Sequence, residues 1–304
     1  MTTTLEQQPA ASAAPQSAPA VGHSGPTASG LWRQRTTAAR AFVRTAAARA
    51  GSGLWKAAGI IAFLALWELG PTYLASPSTR VFLPPLHEVL AAWGKLFESG
   101  TIQGHLAASL TRSVSGFGAA LVAGVSLGLL IAWYGQLNAV LNPLLELFRN
   151  TAALALLPVF TLLLGIGEES KISIVAYAAF FPVLLNTIAG VKTVDPLLIR
   201  AAKSLGLSSL ALFRKVILPS AVPTIFTGIR MAGTASILVL IAAEMVGAKA
   251  GLGYLIVNAQ SSFLIPDMYA GILTVSLLGL TVNFLLVALE RHFSRWRTAV
   301  GSGS

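Results

Sequence analysis

Long apolar runs separated by short polar stretches dominate the chain from residue 57 onward. A helix of about 20 apolar residues matches the hydrocarbon thickness of a bilayer, so each run predicts a membrane span. Six are predicted. The first covers Ala57 to Leu74, "AAGIIAFLALWELGPTYL", and the second Val114 to Trp133. The third extends from Leu141 to Gly165 with an interruption at Pro158, and the fourth from Ile172 to Ala189. Pro223 to Val246 and Ala270 to Leu289 complete the set. Between the first two spans, "SPSTRVFLPPLHEVLAAWGKLFESG" reads as an extended Pro-rich piece followed by a short amphipathic helix. The expected fold class is all-α, a polytopic membrane protein with a membrane domain over residues 57–290.

The flanks differ in composition. Residues 1–30 are rich in Ala, Ser, Thr and Pro, with almost no large apolar side chains, and predict a disordered tail. No basic stretch precedes an apolar core there, so a cleavable signal peptide is not expected. Residues 31–56 hold Arg33, Arg35, Arg40, Arg44, Arg49 and Lys56 without an acid. They predict a basic cytoplasmic flank that orients the first span, in preference to an interfacial helix on anionic lipid. Residues 291–304 form a second cytoplasmic tail.

Charge changes the picture through where it sits. Only 11% of residues are charged, against about 25% in soluble domains, too few to cover a water-facing surface. The net charge of +10 therefore marks the cytoplasmic side of a lipid membrane rather than a nucleic-acid partner. Lys192, Arg200, Lys203, Arg214 and Lys215 place the segment between spans four and five inside, with both termini. Arg80, Lys95 and Arg112 are assigned to the first outside loop, Lys171 to the second and Lys249 to the third. Arg149 and Arg230 lie within apolar segments near their inner ends, where long side chains snorkel. Cysteine is absent, which excludes disulfides, thiolate metal sites and cysteine nucleophiles.

The inside segment 191–222 is too long for a plain helix–helix connection. In "VDPLLIRAAKSLGLSSLALFRKVILPSAVP", Asp195 is suited to N-cap a helix and Pro196 to its first position. Gly206 is suited to a left-handed C-terminal residue. Leu198, Ala201, Ala202 and Leu205 recur at helical spacing, with Arg200, Lys203 and Ser204 on another side. A second short helix is expected after a Ser208 or Ser209 cap, ending at Leu218-Pro219, with Pro223 opening span five. An amphipathic connector on the membrane and a rigid docking element both fit this geometry.

A resemblance favours docking. Ala201, Ala202, Gly206, Leu218 and Pro219 match, at the same spacing, the Glu-Ala-Ala loop of permease subunits of ABC-type importers. Val216 stands for the usual Ile, and Arg200 reverses the charge of the usual Glu. "LFRNTAALALLPVFTLLLGIGEESK", "FFPVLLNTIAGVKTVDP" and "AAEMVGAKAGLGYLIVNAQ" resemble the sulfonate, taurine, nitrate and bicarbonate branch, and the resemblance spans residues 57–297. It implies a type I ABC importer permease fold in a bacterial inner membrane. The implied partners are two cytosolic ATPase subunits that carry ATP and Mg, an extracytoplasmic binding protein and a second permease copy. On this resemblance, Asp195, Pro196, Arg200, Ala201, Ala202, Lys203, Gly206, Leu218 and Pro219 form the coupling loop.

Other candidates carry less. No P-loop motif is present, so the chain itself is expected to bind no nucleotide, and no catalytic triad or carboxylate pair is readable. His23, His87, His105 and His292 are scattered and make a poor metal set. Glu244 falls near the outer end of span five, where it reads either as a gate or as an acid reaching headgroup water. Asn150 and Thr151, beside a broken helix, and Asn186 read as translocation-path residues or as interhelical hydrogen-bonding groups. "SGFGAALVAGVSLG" is a small-residue helix contact. The expected function is translocation of an aliphatic sulfonate or taurine, with nitrate, bicarbonate and a thiamine-precursor pyrimidine as alternative cargoes. An ion-driven carrier is the alternative class, although no internal repeat supports it.

Overall fold

The structure is a computed structural model in which residues 58–74 and 76–293 are described. The chain divides into two units, residues 1–64 and 65–304. Of the first, residues 58–64 are described and are helical. The expectations for residues 1–30, 31–56 and 294–304 lie outside the described residues.

The described chain is helical throughout. Helix α1 is Ala58–Tyr73, and its end is wound as a π-turn, Gly70–Leu74, at Pro71. Its described part rises about 24 Å at 1.5 Å per residue. Helices α2 (Pro77–Phe82) and α3 (Leu86–Glu98) follow. The piece expected to be extended is thus partly helical, because Ser76 caps it through the Thr79 amide. Helix α4, Thr101–Trp133, begins 13 residues before the predicted second span. Its first turns are polar, so hydropathy overlooked them. Their Ser109 and Arg112 face inward and are buried.

The third predicted span is a broken one. Helix α5 (Gly135–Arg149) and the segment Ala153–Leu164 meet at 86°. The bend lies at residues 150–152 rather than at Pro158. Pro158 instead occupies the first turn of α6, Leu157–Leu164, where its missing N–H costs nothing. Helix α7 is Glu168–Lys192. Next come α8 (Pro196–Ser204), α9 (Ser209–Leu212) and a π-turn, Phe213–Ile217, that passes directly into α10, Leu218–Glu244. Pro223 therefore lies inside α10 and does not open it. Helix α11, Leu252–Ser261, was not anticipated, and α12 is Ile265–Phe293. Among the described residues, four helices are long and apolar enough to cross a membrane, five if the bent pair is one span.

The core is a three-helix stack of α4, α7 and α10. Gly116, Ala120, Gly124 and Gly128 recur every four residues and are buried. A Cβ at Gly124 would lie 2.9 Å from a Val183 methyl, and one at Gly128 would lie 2.7 Å from Thr187. The small-residue stripe thus lets α4 and α7 touch along their backbones, as its sequence predicted. Ala179, Val183 and Ala232 extend the same dry seam to α10. Arg230 does not snorkel alone; it pairs with Glu290 of α12 at 3.1 Å.

Candidate functional site

Three places concentrate polar chemistry. The first is the loop joining α7 to α10. The Asp195 carboxylate accepts from the Leu197 amide at 2.7 Å, and Pro196 takes the first turn of α8. At its end the Gly206 amide donates to the Lys203 carbonyl at 3.0 Å, and the Leu207 amide to the Ala202 carbonyl at 3.2 Å. Gly206 has φ 75°. This is a complete Schellman closure, and only glycine enters that conformation without steric cost. Ser208 caps α9 through the Ala211 amide.

The loop has its own core. Val194, Ala202, Leu212 and Ile217 are buried together, with Ile199 and Leu207 packed against them. Ala202 therefore points inward, away from any docking surface. Ala201 is exposed, as are Leu197, Leu198, Leu205 (81%) and Leu210. Leu198 and Leu205 were expected to share one apolar face with Ala202; they lie on the outer face instead. Arg200, Lys203, Arg214 and Lys215 are also exposed, and none pairs with an acid among the described residues. Leu218 and Pro219 sit in continuous helix, and Phe213 meets Trp133 at the end of α4 edge-to-face, 5.0 Å between centroids.

The second place is a cavity of about 400 Å³ at the broken helix. Phe148, Arg149, Thr151 and Ala153 line it from the bend, Tyr177, Phe181 and Asn186 from α7, and Met231, Ala235 and Val239 from α10. Thr151 and Asn186, both singled out in the sequence, thus meet at one cavity, whereas Asn150 and Glu244 do not line it. Asn150 and Thr151 bond back to Glu146 and Leu147 of their own helix, and Asn186 to Pro182 of its own. None of the three joins two helices. Pro182 cannot donate to the Ala178 carbonyl one turn earlier, and both residues line the cavity.

The third place holds Glu244, which the sequence singled out, together with partners that it did not. At the end of the stack remote from the loop, Arg112 and Glu244 form a buried ion pair, Nη1 to Oε1, at 2.7 Å. Arg112 also grips Glu168 with Nε and Nη2, at 2.5 and 2.6 Å, and donates to the Ala250 carbonyl at 2.7 Å. Ser109 donates to Glu244 at 2.8 Å and accepts from the Leu252 amide at 2.9 Å. The Gly253 amide donates to Glu244 at 3.0 Å. Lys171, also buried, donates to the Gly167 carbonyl, and His105 accepts from the Gly251 amide. Arg112 and Lys171, read as outside-loop residues, lie within α4 and α7. Glu244 is 1% exposed, so it does not reach headgroup water. Gly251 has φ 121°, and any side chain there would strike the Glu244 carboxylate. The cluster ties α4, α7, α10 and the start of α11 at one point.

Comparison with known proteins bears on all three places. Residues 121–298 match the family described as the binding-protein-dependent transport system inner membrane component. The chain belongs to that family. It is 37% identical over 239 residues to the taurine transport system permease protein TauC of Escherichia coli K12, covering 77% of this chain and 86% of that one. It is 36% identical to the aliphatic sulfonates transport permease protein SsuC of the same strain, covering 79% and 90%. The bicarbonate transport system permease protein CmpB of Synechococcus elongatus is 32% identical, covering 78% and 88%. Among solved structures, a chain of the MetNI methionine ABC transporter superposes with a TM-score of 0.54 at 19% identity, covering 63% of this chain and 95% of that one. That likeness carries the fold, which is that of ABC importer permeases. As a permease of this family, the chain is a membrane translocation subunit. The family match includes the loop, the cavity and part of the buried cluster, but begins after Arg112.

Proposed function

We propose that this permease imports a small oxyanion, an aliphatic sulfonate or taurine, by alternating access driven by two cytosolic ATPase subunits. The carrying observation is the loop. It is closed at both ends by its own caps, built on its own core, and presents leucines and unpaired cations outward. An exposed apolar edge ringed by charge, on a rigid element, is what a protein partner seats on. The helix from Ser209 to Glu244 has no flexible joint between loop and span, so displacement of the loop moves α10 directly.

In this reading ATP and Mg belong to the ATPases, whose closure draws together the loops of two permease copies. The paired spans then open outward to a binding protein, and hydrolysis resets them. Both termini face the cytoplasm of a bacterial inner membrane. Residues 191–222 are the coupling loop of a 57–290 permease domain, and residues 1–56 and 291–304 are cytoplasmic flanks. Thr151 and Asn186 line the path at the cavity, Asn150 flanks it at the bend, and Glu244 anchors the outer gate through Arg112. The names of the taurine and sulfonate relatives support the cargo class.

The test is a pull-down of the full chain from its native membrane in mild detergent, with partners identified by mass. A cytosolic ATPase is expected with the wild type and lost with Leu205→Glu, a change on the outer face that leaves the loop core intact. Absence of an ATPase from an intact permease dimer would overturn the reading in favour of an ion-driven carrier.

A further inference from the structure

The cavity at the bend holds one permanent charge. Among its lining residues Arg149 is the only cation, and no carboxylate is present. The remainder is apolar or neutral, and includes three rings, Phe148, Tyr177 and Phe181, and two polar side chains, Thr151 and Asn186. A guanidinium offers a planar fork of donors matched to oxyanions. Its present partner is Glu146, one turn back on α5, at 3.0 Å. Both side chains are about half exposed, so the pair is not enclosed and Glu146 can give way to another anion.

We propose that Arg149 is the anion receptor of this cavity, taking the head of a small organic oxyanion whose short carbon chain lies against Phe148, Tyr177 and Phe181. The proposal deepens the importer reading and rests on it for the direction of transport. Three physical points select this class. A cationic ligand meets Arg149, and the carboxylate beside it, Glu146, is already paired with that guanidinium. A sugar-like ligand needs more polar partners than Thr151, Asn186 and the Tyr177 hydroxyl supply, and that hydroxyl already donates to the Phe148 carbonyl at 2.9 Å. A bare inorganic anion leaves the aromatic wall unused. The volume suits a ligand at the small end of known sites. Tyr177 also fixes the receptor, because its bond to the Phe148 carbonyl holds the bend beside Arg149 against α7.

The experiment titrates the full chain in lipid nanodiscs with ethanesulfonate, nitrate and propylammonium, read by saturation-transfer NMR of the ligand. Ethanesulfonate is expected to bind saturably and nitrate about tenfold more weakly, with no binding of propylammonium. Arg149→Gln weakens ethanesulfonate by about tenfold or more, and Arg149→Lys keeps part of the affinity. Glu146→Gln tightens it by severalfold, since the competing carboxylate is gone; a merely structural Arg149–Glu146 pair would give no gain. Unchanged binding in Arg149→Gln overturns the receptor, and equal binding of nitrate overturns the aromatic wall. Absent wild-type binding, in nanodiscs that still recruit the ATPase, overturns the site while leaving the importer reading standing. Loss of ATPase recruitment with binding intact would do the reverse.

Discussion

Arg112 shows how much one buried charge can organise. Its guanidinium holds two carboxylates and a backbone carbonyl drawn from three other parts of the chain. Removing one partner of such a pair leaves the other charge buried and uncompensated, which costs about 3–5 kcal/mol. Arg112→Met is therefore expected to lower the thermal midpoint in detergent sharply. Adding Glu244→Gln to it should recover part of the loss, because the orphaned charge is then removed. A single variant that melts like wild type would show that water reaches the cluster. The sequence did hold a signal for Arg112: Ser109, Arg112, Gly116, Ala120, Gly124 and Gly128 continue one helical face. Hydropathy alone hid it, since a paired charge scores as a loop. The Glu168, Ala250 and Leu252 partners left no comparable trace, because they meet only across helices.

At the scale of the element, the loop between α7 and α10 was nearly complete in sequence. Asp195, Pro196, Gly206 and Ser208 are local signals that act over four residues or fewer, and each does what its chemistry predicts. Which face turns inward was not legible. Two apolar faces compete on α8, and only the packing of Ala202 against Leu212 and Ile217 chooses between them. Two variants separate the faces. Ala202→Trp overpacks the loop core, at about 1–3 kcal/mol, and should expose the loop to limited proteolysis. Ala201→Trp should leave proteolysis unchanged while abolishing uptake. Gly206→Val should also abolish uptake in a chain that inserts normally, because a β-branched residue resists φ 75°. Normal uptake in that variant would mean that the Schellman closure has no part in coupling.

For the whole molecule, orientation is the property most open to test. The chain has no cysteine, so single-cysteine labelling needs no background removal. A cysteine at Leu205 should react with a membrane-impermeant maleimide only in inverted vesicles. One at Phe263, exposed in the turn between α11 and α12, should react only in intact cells. The reverse pattern would invert the topology and place the loop between α7 and α10 on the wrong side for a cytosolic ATPase. Deleting residues 1–30 should leave uptake unchanged when measured with labelled taurine, and a large loss would give that tail a role its composition does not predict.

The sequence by itself determined the class, the approximate spans, the small-residue seam and the caps of the loop between α7 and α10. All of these rest on composition or on spacings within one helical turn, where side-chain chemistry acts on the neighbouring backbone. Tertiary structure alone decided where the third span bends, which face of α8 is buried, and that Arg149, Thr151 and Asn186 share one cavity. It also brought Arg112, Glu168 and Glu244 together, although the first and last are 132 positions apart in the chain. Long-range pairs of this kind follow from helix packing, and the pairing is written in no local pattern. A charge in an apolar run reads as an interruption until the fold supplies its partner.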